Sequence, residues 1–215
     1  EPSSEMRVTL GRLRTIQVNV LGEVATPGTY RLSSLATVFH ALYRAGGITP
    51  IGSLRDIRVM RGGREVARVD IYDLLMNGRQ GGDIRLEEGD VIVVPPYGLL
   101  VGVTGNVKRP MYYEMKPGES LQKLMEYAGG FTGDAYRDEV RVIRESGPEY
   151  QIYSVRKPDF TRWAREDGDA VTVGSVLDRF ANRVEVRGAV FREGMYELGG
   201  GTNTVRGLIE RAGGL

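Results

Sequence analysis

The strongest constraint on the fold of this chain is a pattern that returns along it at a fixed interval. The run Val20-Leu21-Gly22-Glu23-Val24-Ala25-Thr26-Pro27-Gly28-Thr29-Tyr30 recurs as Val103-Thr104-Gly105-Asn106-Val107-Lys108-Arg109-Pro110-Met111-Tyr112-Tyr113. It recurs again as Val186-Arg187-Gly188-Ala189-Val190-Phe191-Arg192-Glu193-Gly194-Met195-Tyr196. Gly22, Gly105 and Gly188 are evenly spaced, and Tyr30, Tyr113 and Tyr196 keep the same interval. A second marker follows each copy: Ala45-Gly46-Gly47, Ala128-Gly129-Gly130 and Ala212-Gly213-Gly214, the first two at that interval and the last displaced by a single position. A period of this length means tandem copies of one supersecondary unit, not one large domain.

Between the two markers each copy carries apolar residues at helical spacing. Val38, Ala41, Leu42 and Ala45 match Leu121, Leu124, Met125 and Ala128, and then Val205, Leu208, Ile209 and Ala212. That i, i+3, i+4, i+7 stripe predicts an amphipathic helix in each copy. Thr37, Ser120 and Thr204 stand just before it, where a hydroxyl can cap the first turn. Gly46, Gly129 and Gly213 stand just after it, where glycine can take the left-handed conformation that ends a helix.

The residues around each helix read as strands. Thr15 to Val24 is β-rich, Ala25 to Gly28 has turn chemistry, and Thr29 to Leu32 can return as a paired strand. After the helix, Asp56 to Arg61 and Glu65 to Val69 flank a Gly62-Gly63 turn, predicting a second hairpin that the second copy repeats over Glu139 to Arg144 and Tyr150 to Val155. A short helix over Ile71 to Met76 leads to an apolar strand, Val91 to Val94, stopped by Pro95; Gly168 to Val173 is its weaker counterpart. The order strand, strand, helix, strand, strand, short helix, strand predicts an α+β fold of the β-grasp (ubiquitin-like) kind, with a mixed sheet and one main helix per repeat. The expected boundaries are a lead-in strand at 1–14, a first repeat at 15–97, a second at 98–180, and at 181–215 the first half of a truncated third.

These residues resemble the SLBB family, the soluble ligand-binding β-grasp domains. Its pattern is a Gly-x-Val and Pro-Gly-x-Tyr hairpin, a helix ending Ala-Gly-Gly, and a closing Gly-Asp-Val strand. The first repeat carries all of it in Gly22, Pro27, Gly28, Gly46 and Gly47. The second keeps Gly105, Pro110, Gly129 and Gly130 but has Met111 where glycine is usual. The third keeps Gly188, Gly194, Gly213 and Gly214 but has Glu193 in place of proline. Tandem copies of this kind resemble outer-membrane polysaccharide export proteins. That resemblance implies a periplasmic protein associated with the outer membrane and a ring-forming homo-oligomer. It also implies polysaccharide and the inner-membrane export machinery as partners, with no enzymatic activity, no cofactor, and a further export domain ahead of the repeats.

Composition removes several other readings. Lys and Arg number 29 against 28 Asp and Glu, so no overall field draws the chain to nucleic acid. The absence of cysteine removes disulfides, thiolate metal sites and a cysteine nucleophile. No apolar run is long enough to span a membrane as a helix. His40 is the sole histidine. The other copies place Lys123 and Gly207 at its position, which argues against a metal site or a Ser-His-Asp triad. No glycine-rich turn precedes the Lys-Ser or Lys-Thr of a phosphate loop.

Several groups are candidates for contact with a ligand. Tyr30, Tyr113 and Tyr196, once per repeat, would form a ladder of rings for stacking sugars if exposed, or pack beside their hairpins if not. The basic first third, including Arg7, Arg12, Arg14, Arg31, Arg44, Arg55, Arg58, Arg61, Arg64 and Arg68, could meet an anionic polysaccharide. Glu87, Glu88 and Asp90, with Glu166, Asp167 and Asp169, read as solvated turns before a strand. Trp163, with Tyr153 and Phe160, marks either a contact surface or local core. The leading expectation is a non-catalytic conduit module; the alternatives are a carbohydrate-binding β-grasp module and an accessory domain of a respiratory oxidoreductase.

Overall fold

The computed structural model describes residues 14–79 and 81–215. The lead-in strand expected at 1–14 lies outside them except for Arg14. In the first repeat, β1 (Thr15–Gly22) and β2 (Gly28–Ser33) form the predicted hairpin, followed by α1 (Val38–Arg44). The second hairpin, β3 (Ile57–Arg61) and β4 (Arg64–Val69), leads through α2 (Ile71–Asn77) to β5 (Val91–Val94). The sheet order is β2-β1-β5-β3-β4, with β5 parallel to β1 in the middle and the other pairs antiparallel. A parallel central pair needs a long crossover, and the helix plus second hairpin supply it. Alternation turns Ile16, Val18 and Val20 of β1, Ile57 and Val59 of β3, and Ile92 and Val94 of β5 to one face, where all are buried under Val38, Ala41, Leu42 and Ala45.

The second repeat has the same topology. Its elements are β6 (Leu99–Gly105), β7 (Tyr112–Met115), α3 (Leu121–Tyr127), β8 (Glu139–Ser146), β9 (Glu149–Arg156) and β10 (Ala170–Val173). The order is β7-β6-β10-β8-β9, with β10 parallel to β6. Where the first repeat has α2, the second has a single 3-10 turn, Lys157–Asp159. Further along, β11 (Arg183–Val186), β12 (Gly194–Glu197) and α4 (Val205–Arg211) repeat the hairpin and helix. The fold is α+β, built of tandem β-grasp repeats with a mixed sheet and one main helix each. The chain forms two compact units, the first ending at Ser175 and the second being Val176–Leu215.

The recurring glycine at the end of the first strand has a steric reason. Gly22 has φ +88°, and a Cβ there would lie 2.1 Å from the carbonyl oxygen of Val94; at Gly105, φ +82°, it would lie 2.1 Å from that of Val173. The close approach lets those carbonyls accept from the next residue's N–H, Glu23 at 2.9 Å and Asn106 at 3.0 Å. Each glycine therefore locks the closing strand to the first hairpin.

Candidate functional site

The repeated tyrosines hold equivalent places. The Tyr30, Tyr113 and Tyr196 hydroxyls donate to the backbone carbonyls of Thr26, Arg109 and Arg192, back across the hairpin turn in each case. Tyr113 is 2% exposed, with its ring 6.4 Å from that of Tyr127, and burial pushes its phenol above the usual range. Tyr30 and Tyr196 are half-buried. Each hydroxyl is thus committed to its own turn, and the ring packs beside its hairpin.

The two acidic turns are more ordered than solvated turns would be. Asp90 is buried, accepts the Glu87 N–H at 2.8 Å, and receives both Nε and Nη2 of Arg61 at 2.8 Å. Asp169 repeats this with the Glu166 N–H at 2.9 Å and Arg144 Nε and Nη2 at 2.8 Å. Glu88 accepts from the Gln17 N–H of β1 and Asp167 from the Leu100 N–H of β6. Burial works to raise the Asp90 carboxyl, but the Arg61 guanidinium and the Glu87 N–H outweigh it and hold the group below the usual carboxylate range. These carboxylates therefore tie the closing turn to the sheet, with no free acid or base between them.

The most concentrated chemistry lies where the first two repeats meet, and Arg55 is its centre. It is only 5% exposed, on the loop between α1 and β3. Its Nη1 donates to Glu119 Oε2 at 2.6 Å and to the Glu114 carbonyl at 3.1 Å. Nη2 donates to Glu119 Oε1 at 2.8 Å, to Asp70 Oδ2 at 3.1 Å and to the Tyr127 hydroxyl at 3.1 Å. Asp70 caps α2 by accepting the Tyr72 N–H, and Lys116 Nζ approaches the same carboxylate at 2.6 Å. The guanidinium carbon stands 4.7 Å from the Tyr72 ring centre and 5.1 Å from that of Tyr127, whose rings meet edge to face at 5.1 Å. Alongside, Glu114 accepts from the Ser53 hydroxyl at 2.6 Å and the Leu54 N–H at 2.8 Å, while its own N–H donates to the Tyr72 hydroxyl. Leu54, Tyr72 and Met76 of the first repeat pack into the second repeat's core.

Burial disfavours charge at Arg55, yet its bonds to Glu119 and Asp70 prevail and raise its pKa. Burial likewise opposes ionisation of Asp70 and Glu119, and Arg55 overrides it and keeps both below the usual range. Burial and the Glu119 carboxylate together hold the Tyr127 phenol neutral. Such a network, with every charge partnered, fixes one relative placement of the two repeats.

Beside this junction runs a groove of about 610 Å³ lined by Arg55, Arg58, Arg68, Pro96, Lys116 and Pro117, among others. Its exposed cations are already paired: Arg58 with Asp56, Arg68 with Asp56 and Glu65, and Lys116 with Asp70. Of the arginines in the basic first third, Arg55 and Arg61 are thus structural, and Arg7 and Arg12 lie outside the described residues. His40, at the third position of α1, accepts the Thr37 N–H on Nδ1 at 3.2 Å, a local cap. Trp163 packs against Tyr153 and the Arg144 guanidinium on the flank of the second core. Among the described residues no cluster of three acidic or histidine side chains could hold a metal, and no helix is long and apolar enough to cross a membrane.

Comparison with known proteins agrees with this architecture. Two curated relatives from Escherichia coli, both named polysialic acid transport protein KpsD, are 29% identical over 209 residues, covering 94% of this chain and 36% of theirs. The chain therefore spans about a third of the length of the curated relatives it matches. The SLBB domain model matches residues 17–70 and 100–153, which is the first hairpin, the main helix and the second hairpin of each complete repeat, and together half of the chain. With three copies of the hairpin and helix in register and two complete sheets of one topology, the chain belongs to the SLBB domain family.

Proposed function

We propose that this chain is a non-catalytic structural module of a polysaccharide export protein, one that forms or braces a channel for capsular or exopolysaccharide transport. The observation that carries this reading is the Arg55 junction. A dense set of polar contacts in which Arg55, Asp70, Glu114 and Glu119 are all partnered is not a receptor for a small ligand, but such a buried, paired network between successive repeats joins them rigidly. Similarity to polysialic acid transport proteins over 94% of the chain supplies the cargo class. In this reading the repeats occupy residues 15–97, 98–180 and 181–215, and the module works in the periplasm next to the outer membrane. The protein that carries it is a ring-forming homo-oligomer that meets the inner-membrane export machinery.

The test is a deletion of the gene that carries this chain, scored for surface polysaccharide and for polysaccharide retained inside the cell. Loss of the surface polymer with internal accumulation, reversed by the intact gene, supports the reading. Unchanged surface polymer overturns it.

A further inference from the structure

The face of the second sheet that carries no helix displays a row the fold does not require. Strand register sets Tyr112, Gly102, Ala170, Ile143 and Ile152 side by side across β7-β6-β10-β8-β9. Their chain neighbours Val101, Val103, Val171 and Val142 are buried with α3, so alternation turns this row the other way. Tyr112 is 72% exposed and Ile152 is 69% exposed. A Cβ at Gly102 would lie 3.1 Å from Tyr112 Cε1 and 3.4 Å from Cδ1, so the ring folds back over the glycine and leaves the rest of its surface to solvent.

The adjoining row is polar. Thr104, Thr172 and Arg141 are neighbours across β6, β10 and β8, with the two threonine hydroxyls 3.1 Å apart. Arg141 is exposed and, among the described residues, makes no ion pair, unlike the cations of the junction groove. The other copies fill the platform position differently. Thr29 faces Asn19 through a 2.7 Å hydrogen bond, and Met195 faces Glu185. A β-grasp hairpin therefore forms with any of these pairs, and a ring laid over glycine answers no demand of the fold.

We propose that this face of the second repeat is a contact surface for an acidic polysaccharide, with Tyr112 as the stacking platform and Arg141 as the carboxylate contact. A flat ring offers a surface to the C–H face of a sugar, the hydroxyl pair can exchange hydrogen bonds with its hydroxyls, and an unpaired guanidinium suits its carboxylate. The row crosses five strands without a deep pocket, which fits an extended chain that must slide. The proposal rests on the export reading above and adds the surface and the charge class to it.

The experiment is a titration of the isotope-labelled chain with sialic acid oligomers, and with neutral dextran oligomers of equal length, followed by backbone amide shifts. The expected result is shifts around Gly102, Arg141, Thr172 and Ile152 that are larger with the acidic probe. Tyr112→Thr, which installs the first repeat's residue, should weaken binding roughly fivefold or more, while Tyr112→Phe retains it. Arg141→Gln should abolish the preference for the acidic probe, and Tyr43→Ala, at an exposed ring on α1, should change nothing. The proposal is overturned by shifts elsewhere, by binding indifferent to Tyr112→Thr and Arg141→Gln, or by no shift up to about 10 mM probe. Shifts on this face that follow protein concentration instead of saccharide also overturn it, in favour of a second copy as occupant. In each case the gene-deletion result stands independently, so the surface and the export reading fail separately.

Discussion

Arg55 of the first repeat and Glu119 of the second share a two-pronged ion pair, Nη1 to Oε2 at 2.6 Å and Nη2 to Oε1 at 2.8 Å. The arginine is 5% exposed, so its removal leaves the Glu119 carboxylate without its cationic partner and Asp70 with Lys116 alone. Arg55→Met should destabilise the first unit by about 3–5 kcal/mol, the range for breaking a buried pair from one side. It should also split one urea transition into two, because the repeats lose the contact that couples them. A double change, Arg55→Met with Glu119→Gln, should recover part of the loss. A single unchanged transition in Arg55→Met would show that the hydrophobic contacts of Leu54, Tyr72 and Met76 suffice.

How far the sequence revealed this architecture depended on repetition. Hairpins and helices were legible because their signals return at one interval: Gly22 with Gly105, Tyr30 with Tyr113, Ala45 with Ala128. The weak closing strand Ala170–Val173 proved as central as Val91–Val94, since position in the sheet follows connectivity and not the strength of the local pattern. Arg55 was hidden because its counterpart one period on is Asp138, and those of Ser53 and Leu54 are Tyr136 and Arg137. A contact made once leaves no recurring signal. The Arg61–Asp90 and Arg144–Asp169 clamps do recur, and their arginines keep the period. Their aspartates stand closer together than that, because the shorter crossover of the second repeat put them out of step. The open face with Tyr112 is not legible in the sequence, because only the strand register places Gly102 beneath the ring.

Those paired clamps give a prediction that compares the repeats directly. Asp90→Ala and Asp169→Ala each remove a buried carboxylate that receives two guanidinium N–H groups and one backbone N–H. Each should cost about 3 kcal/mol, the two should be equal within about 1 kcal/mol, and a double mutant should be additive given their separation in the fold. Thermal unfolding of the three variants checks it. A much smaller cost for Asp169→Ala would mean that the second repeat accommodates the loss of its clamp, although its arginine is the less exposed of the two, 13% against 31%.

Acid should loosen the molecule at the same carboxylates. Asp70, Glu119 and Asp90 all have folded-state pKa values below their ordinary ones. A depressed carboxylate contributes stability that is fully present above its unfolded value, near 4, and disappears as pH falls through the lower folded value. The melting temperature should therefore be level from about pH 7 to 5 and drop below about pH 4. In Arg55→Met the Asp70 and Glu119 shifts lose the Arg55 contribution and keep only those of Lys116 and Tyr127, and the drop should be shallower. A melting curve of Arg55→Met parallel to that of the parent would locate the acid sensitivity elsewhere.

The three equivalent glycines supply the sharpest comparison, because they share a backbone conformation but not a neighbour. Gly22, Gly105 and Gly188 have φ of +88°, +82° and +105°, so alanine at any of them meets the left-handed penalty of about 1–2 kcal/mol. At Gly22 and Gly105 the new Cβ would also lie 2.1 Å from a carbonyl oxygen of the closing strand, whereas at Gly188 nothing stands within 4 Å. Relief there requires the parallel strand to move away, which breaks the bonds to Glu23 and Asn106. Gly22→Ala and Gly105→Ala should therefore each cost several kcal/mol and shift amide resonances along β5 or β10, while Gly188→Ala costs only the backbone term. Equal losses at all three would show that conformation alone explains the recurring glycine, and that the close approach of the closing strand yields readily.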